Sequence, residues 1–296
     1  MNDKSGKMLK REKFIEYMLR FCASLSIIFL FGIAISLFKE GLPIFKIVNP
    51  VKFIFGKFWY PTHEPPEFGI LPLILASLIV TFGAMMVAVP LGIGSAIYIS
   101  ELSHPKIREI IKPMIELLAG IPSVIYGFFG MVVFAPFVQK LFKIPVGLNA
   151  FTASCLLGIM ALPTISSIAE DAIASVPKEI KEASYALGAT KWETLTRAII
   201  PSAKSGILAA IILGLGRAIG ETMTVLMVAG GAAVIPRSFL QPVRPMTATI
   251  AAEMGEAPVG SPHYHALFAI SIILFLITLG LNILANYIKE KGYEKI

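Results

Sequence analysis

The chain has 296 residues, 56% of them hydrophobic and only 15% charged, with a net charge of +7 and a mean hydropathy of +0.77. A soluble globular domain carries about 25% charged residues, so the composition excludes an ordinary water-soluble domain and points to a surface facing lipid. The basic residues are scattered between apolar runs rather than gathered in a patch, which argues against a nucleic-acid partner.

A helix needs roughly 20 apolar residues to cross the hydrocarbon core, where every backbone group must pair internally. In chain order the first such run is 18–38, preceded by several Lys and Arg. It resembles a secretory signal, but it ends at Lys39–Glu40 without a small-residue cleavage pattern and is read as an uncleaved span. The segment that follows carries Phe45, Phe53, Phe55, Phe58, Trp59 and Tyr60. These aromatics read most simply as a belt at the lipid headgroups, or else as a docking surface for an external partner. The second span is predicted over 68–100. Residues 101–118 then predict a short interfacial helix, capped by Ser103 with Pro105 in its first turn, before Gly120, Ile121 and Pro122 break the chain.

The third span, 121–137, is short and needs to run on to Phe142, with Pro136 as a kink. The fourth is predicted over 146–169. A segment of 35 residues, 170–204, separates it from the fifth, 205–235, and the sixth covers 266–288. The expectation is therefore an all-α polytopic membrane protein with six transmembrane helices. It divides into an N-terminal part with the first span and external loop (1–70), a core (71–288) and a short tail (289–296). With both termini inside, the inner segments hold 17 Lys and Arg and the outer ones eight, the bias expected of cytoplasmic loops. Cys22 and Cys155 both fall inside apolar spans and suggest no disulfide or metal site.

The 170–204 segment has its own internal design. Pro177 opens a helix, and Gly188 can end it in the left-handed conformation that glycine adopts cheaply. Thr190 and Glu193 then form a capping box for a second helix ending near Ile200–Pro201. Ala183 and Ala186 leave one side of the first helix open to close approach. Here the sequence resembles the EAA loop of permeases in bacterial ATP-binding-cassette importers, with Glu182, Ala183, Gly188 and Pro201 at the matching positions. It departs from the pattern at Ser184, Ala198 and Ile200. The stretches ELLAGIPSVIYG (116–127), GLGRAIGETM (214–223), TATIAAE (247–253) and GSPHYHALF (260–268) are similar to permeases of the phosphate-specific transport system, of the PstC type rather than the PstA type.

That resemblance implies a permease subunit of an ATP-driven phosphate importer in the bacterial plasma membrane. It implies a second homologous permease of the PstA type, two ATP-binding-cassette ATPase subunits that dock on the EAA loop, and an external phosphate-binding protein. ATP and magnesium belong to the ATPase, and no cofactor is expected on this chain, which lacks a Gly-rich phosphate loop ending in Lys-Ser/Thr.

Apart from Arg20 at the start of the first, Arg217 and Glu221 are the only charged residues inside the predicted spans. Four apart, they are expected on one helical face, with Thr224 continuing it. Charges inside a membrane generally face a bundle interior or a water-filled path, and the planar Arg fork suits phosphate. Gly214, Gly216 and Gly220 are expected to admit close neighbours there. A purely structural Arg–Glu pair is the alternative. A secondary transporter also carries intramembrane charges but needs no ATPase-docking loop, and no repeat relates the two halves here. His63, His104, His263 and His265 are scattered; His263 and His265 offer at most an adventitious metal site, and no catalytic set is apparent.

Overall fold

The computed structural model describes the backbone of residues 2–293 and the side chains of residues 13–288. The basic side chains before Lys13 and those of the tail from 289 onward lie outside the described residues.

Helix α1 (Asn2–Gly41) is exposed along its apolar run, as a helix in contact with lipid should be. It meets the rest of the chain near Gly41, where a Cβ would lie 2.6 Å from Ile272 Cδ1. A 3₁₀ turn (Leu42–Lys46), a short helix α2 (Pro50–Phe55) and a hairpin of two-residue strands, β1 (Trp59–Tyr60) against β2 (Glu67–Phe68), form a small cap. Two of its aromatics do not serve a lipid belt. Phe53 and Trp59 are buried in an apolar cluster with Phe68, Ile70, Leu73, Met246 and Leu267, while Phe55 and Phe58 stay exposed.

Helix α3 (Leu71–Ile97) follows and is about 40 Å long at 1.5 Å per residue. It threads three apolar clusters in order. Leu73 belongs to the cluster at the hairpin end, the stretch from Ala76 to Ala88 to a middle cluster, and Ala96 to one at the opposite, loop end. A wide π-type turn (Tyr98–Leu102) leads to α4 (Pro105–Gly120). The α4 cap is His104, whose Nδ1 accepts from the Lys106 N–H, rather than Ser103. Pro105 fixes the first helical position, and Ser103 closes the preceding turn instead, donating its hydroxyl to Ile99 O at 2.9 Å.

The third span is α5 (Ser123–Phe129), a π-type turn (Gly130–Phe134) and α6 (Ala135–Phe142). The expected run to Phe142 and disturbance at Pro136 are both present. Proline lacks an N–H and its ring collides with the carbonyl four residues back; a widened turn relieves both problems. The same device recurs where Leu195–Ile199 widens before Pro201.

Helix α7 (Ala150–Ala174) begins later and ends later than 146–169. Buried Asn149 caps it, accepting from Thr152 N at 3.0 Å. Its extension to Ala174 brings Glu170 and Asp171 into the helix rather than the loop. It runs parallel to α3 at close range: Ser154 donates to Val80 O at 3.1 Å, and Ser95 to Ser166 at 2.9 Å. A Cβ on Gly158 would lie 2.9 Å from Ala84 O. Small residues of this kind let membrane helices approach where water offers no hydrophobic drive.

The loop end holds α8 (Lys178–Ala186), α9 (Lys191–Thr194) and α10 (Ile200–Ser202), and the chain then bends by 68° into α11 (Lys204–Gly220). The predicted fifth span to 235 is shorter than expected. Helix α11 stops at Gly220, α12 (Met223–Val228) restarts, and irregular chain containing Gly230 and Gly231 at positive φ leads to α13 (Met246–Glu253). Helix α14 (Pro262–Tyr293) is the last span. Among the described residues five helices are long and apolar enough to cross a membrane, six if the bent pair Lys191–Ser202 and Lys204–Gly220 is counted as one span.

Candidate translocation site and coupling loop

Arg217 lies in the last turn of α11, exposed, beside Ala218 of the middle apolar cluster. It therefore sits halfway along the molecule. Glu221 does not share its helical face. The helix ends at Gly220, and Glu221 takes an extended backbone conformation (φ −68°, ψ 131°). Two hydrogen bonds hold that break. Glu221 O accepts from Thr247 Oγ1 at 2.8 Å, and its carboxylate accepts the Thr224 N–H at 3.4 Å, at the start of α12. Beside it a cavity about the size of one water is lined by Ser77, Thr81 and Thr247.

Thr224 is a second correction. It is fully buried, and its hydroxyl donates to Ser123 O at 2.9 Å, so it ties α12 to the start of α5 instead of facing an open path. Of the three glycines expected to admit neighbours, only Gly214 does so within the chain, against Ile165; a Cβ at Gly216 or Gly220 would meet nothing. The surface carrying Gly216, Arg217 and Gly220 is thus open. Among the described residues no carboxylate forms an ion pair with Arg217. Nearby in the chain, Tyr126 of α5 donates its hydroxyl to Leu118 O at 2.9 Å, near the end of α4.

The loop matches its sequence reading closely. Pro177 precedes α8, Gly188 has φ +81°, and Thr190 and Glu193 form a reciprocal capping box. The Thr190 backbone and hydroxyl, donating to the Glu193 carboxylate, hold its pKa below the ordinary value. Ser184, the departure from the EAA pattern, is used inside the knob: its hydroxyl bonds that of buried Thr194 at 2.9 Å. Glu182 and Ala183 face outward, and Tyr185, Leu187 (89% exposed) and Trp192 are uncovered apolar side chains around the Gly188 corner. Pro201 lies in α10 at the foot of the knob, just before the bend.

Sequence reasoning missed two carboxylates. Glu170, 2% exposed on α7, pairs with both Arg108 and Lys112 of α4. Glu253, at the end of α13, accepts from Arg244 at 2.5 Å, from Trp59 Nε1 at 3.0 Å and contacts His263 Nε2 at 2.9 Å. The sequence signal for Glu170 was slight, since it stands where an apolar run meets a polar segment. His263 and His265 turn to different partners, His265 Nδ1 lying 2.6 Å from Glu40 O.

Residues 88–291 match the family described as "binding-protein-dependent transport system inner membrane component". The probable ABC transporter permease protein YqgH of Bacillus subtilis is 36% identical over 272 residues, covering 91% of this chain and 88% of that protein. The phosphate transport system permease protein PstC of Mesorhizobium japonicum is 38% identical over 287 residues, covering 90% and 86%. Among solved structures, a chain of a bacterial alginate ABC transporter aligns with a TM-score of 0.66 at 16% identity, covering 96% of each chain. A chain of the MetNI methionine ABC transporter aligns at 0.55 and 18% identity, covering 76% and 94%. Those two likenesses establish the fold, and the match over 88–291 settles the lineage: the chain belongs to the family of binding-protein-dependent transport system inner membrane components.

Proposed function

We propose that this chain is a permease subunit of an ATP-driven importer of inorganic phosphate, placed in the bacterial plasma membrane with both termini in the cytoplasm. The observation that carries the reading is Arg217: a permanent cation halfway along the molecule, without a carboxylate partner among the described residues, on a surface that the chain itself leaves open. A second, homologous permease of the PstA type facing that surface completes the path. A fixed cation there lowers the electrostatic barrier that a low-dielectric slab sets against an anion, and its planar fork matches phosphate oxygens. Glu221, one residue past the helix end, keeps α12 in place and limits how tightly an anion is held nearby. Thr224 positions α5 against α12 and does not touch the anion.

The knob around Gly188 seats one of two ATP-binding-cassette ATPases, the other sitting on the second permease. Glu182, Ala183 and the uncovered Tyr185, Leu187 and Trp192 supply its contact surface, and Pro201 sets the bend that transmits movement to α11. ATP and magnesium act within those ATPases; this chain's share is the path and the coupling. An external phosphate-binding protein delivers the anion at the hairpin end. Support for phosphate comes from the relatives named PstC and from the Arg217 site together.

The test is uptake of labelled phosphate by the purified complex in vesicles. Uptake that requires ATP and the binding protein, and survives collapse of the proton gradient, is the expected result. Uptake driven by the gradient without ATP refutes the proposal.

A further inference from the structure

Helix α4 is held in an unusual way. None of its residues is buried, and Ile110, Met114 and Leu117 on its outer face are largely exposed. Its inner face, Arg108, Ile111, Lys112 and Ile115, is only half covered. What fixes it to α7 is Glu170, a carboxylate 2% exposed that accepts from Arg108 and, at 2.5 Å, from Lys112; Asp171 adds a longer contact to Lys112 at 3.5 Å. A carboxylate that deep is costly unless paired, so the α4 cations and Glu170 hold one another.

Both ends of α4 connect to working parts. At its start, Glu101 in the wide turn pairs with Lys181 of α8, the first helix of the knob. At its finish, Leu118 O accepts from the Tyr126 hydroxyl of α5. Beyond the break at Gly120–Pro122, Ser123 O accepts the Thr224 hydroxyl that ties α5 to α12. Bonded contacts therefore run from the knob through α4 to α5, and from α5 through Thr224 to α12 and Glu221, which follow the end of α11 that carries Arg217.

We propose that Glu170 is a positioning residue for coupling. It latches α4 onto α7 through Arg108 and Lys112, so that displacement of α8 is passed along α4 to the surface carrying Arg217. The inference rests on the importer reading above. It adds a route distinct from the direct one through the bend at Ala203, and it assigns a role to three residues with no part in holding the anion.

The experiment uses the assembled complex with its ATPases and binding protein in vesicles, and reads phosphate imported per ATP hydrolysed. Glu170→Gln and the double change Arg108→Gln/Lys112→Gln should each lower that ratio by about tenfold, within the range that coupling residues show. The triple variant should be no worse than either, because all three residues act as one unit. Glu170→Asp, which keeps the charge and loses one methylene, should recover part of the ratio. A second readout is the distance between spin labels at Met114→Cys and Ala174→Cys, in a background lacking Cys22 and Cys155. It should be narrow with Glu170 and broad with Gln. An unchanged ratio in Glu170→Gln, losses that multiply in the triple variant, or an unchanged label distance overturns the latch. So does failure of both variants to assemble, which assigns the cluster to folding alone. A parent complex that hydrolyses ATP without importing phosphate refutes the substrate reading only, since the label distances decide the latch without any substrate.

Discussion

The two ends of the molecule each centre on one carboxylate with two basic partners, yet they are built on different principles. At the hairpin end, Glu253 joins Arg244, His263 and Trp59, and the elements it joins are already packed: Phe53, Trp59, Ile70 and Leu267 are at most 2% exposed. At the loop end, Glu170 joins two cations from a helix that buries nothing. Packing forces are short-ranged and numerous, so a well-filled cluster has one arrangement. Glu170 is itself buried, but its cations Arg108 and Lys112 are 41% and 35% exposed, and ion pairs to such solvent-facing side chains tolerate reorientation more readily than packed contacts do. The hairpin end is thus a fixed cap, while at the loop end α4 is a jointed element lying beside the packed cluster of Ile173, Leu195 and Ile199.

That contrast predicts where stability and transport separate. The largest effect on stability should come from Trp59→Ala, which removes a buried aromatic and a hydrogen-bond donor to Glu253. Truncating a buried Trp costs about 3–5 kcal/mol. Thermal unfolding of the purified complex should shift downward clearly, and uptake should fall only in proportion to folded protein. If Trp59→Ala instead leaves the melting temperature unchanged, the hairpin end is not packed as described.

Next in size is Gly188→Val at the loop end. Gly188 has φ +81° with open space around it, so a side chain meets no neighbour but the backbone is strained. The cost is about 1–3 kcal/mol, confined to the knob. Membrane abundance and melting should match the parent, while ATPase association weakens and uptake is lost. Full uptake by this variant would reduce the knob to a connector.

Arg217 lies between the two ends and should move stability least of the three. Exposed, and without a hydrogen bond or ion pair among the described residues, it offers little for Ala to remove from the fold. Arg217→Ala should abolish phosphate uptake with complex yield and melting intact. Arg217→Lys, keeping charge without the fork, should retain a reduced rate. Normal uptake by the Ala variant would move the anion path elsewhere.

How much of this was legible from residues follows the same division. The spans were readable because the bilayer demands long apolar runs, and the knob because Gly188, Thr190 and Glu193 act within a few residues of one another. The end of α11 at Gly220 was not. No proline marks it, and the break depends on Thr247 and Ser123, residues far away in sequence that bond Glu221 and Thr224. The i,i+4 pairing of Arg217 with Glu221 failed for that reason alone. Glu170 and Glu253 were hidden likewise, since Arg108 and Trp59 stand 62 and 194 residues from them. The aromatic segment misled because Phe53 and Trp59 have the composition of a headgroup belt but are covered by Met246 and Leu267.

The smallest expected effect concerns pH at the loop end, where charge rather than packing holds α4. Lys112 lies outside the spans, and its bond to Glu170 raises its pKa above the ordinary 10.5, aided by the nearby Asp171 charge and opposed by partial burial. A cation whose folded pKa is raised contributes fully below its unfolded value and loses that contribution as pH rises through the folded one. The Lys112 share of the latch should therefore persist to above 10.5 and fade only beyond it. Arg108, on the same helix and facing the same carboxylate, remains charged there, so the latch should loosen without opening. Label distances between positions 114 and 174 should broaden slightly over that alkaline range. Lys112→Arg should remove the broadening, because both cations then keep their protons. Broadening that begins well below 10.5, or that persists in Lys112→Arg, would mean that another group governs how α4 rests on α7.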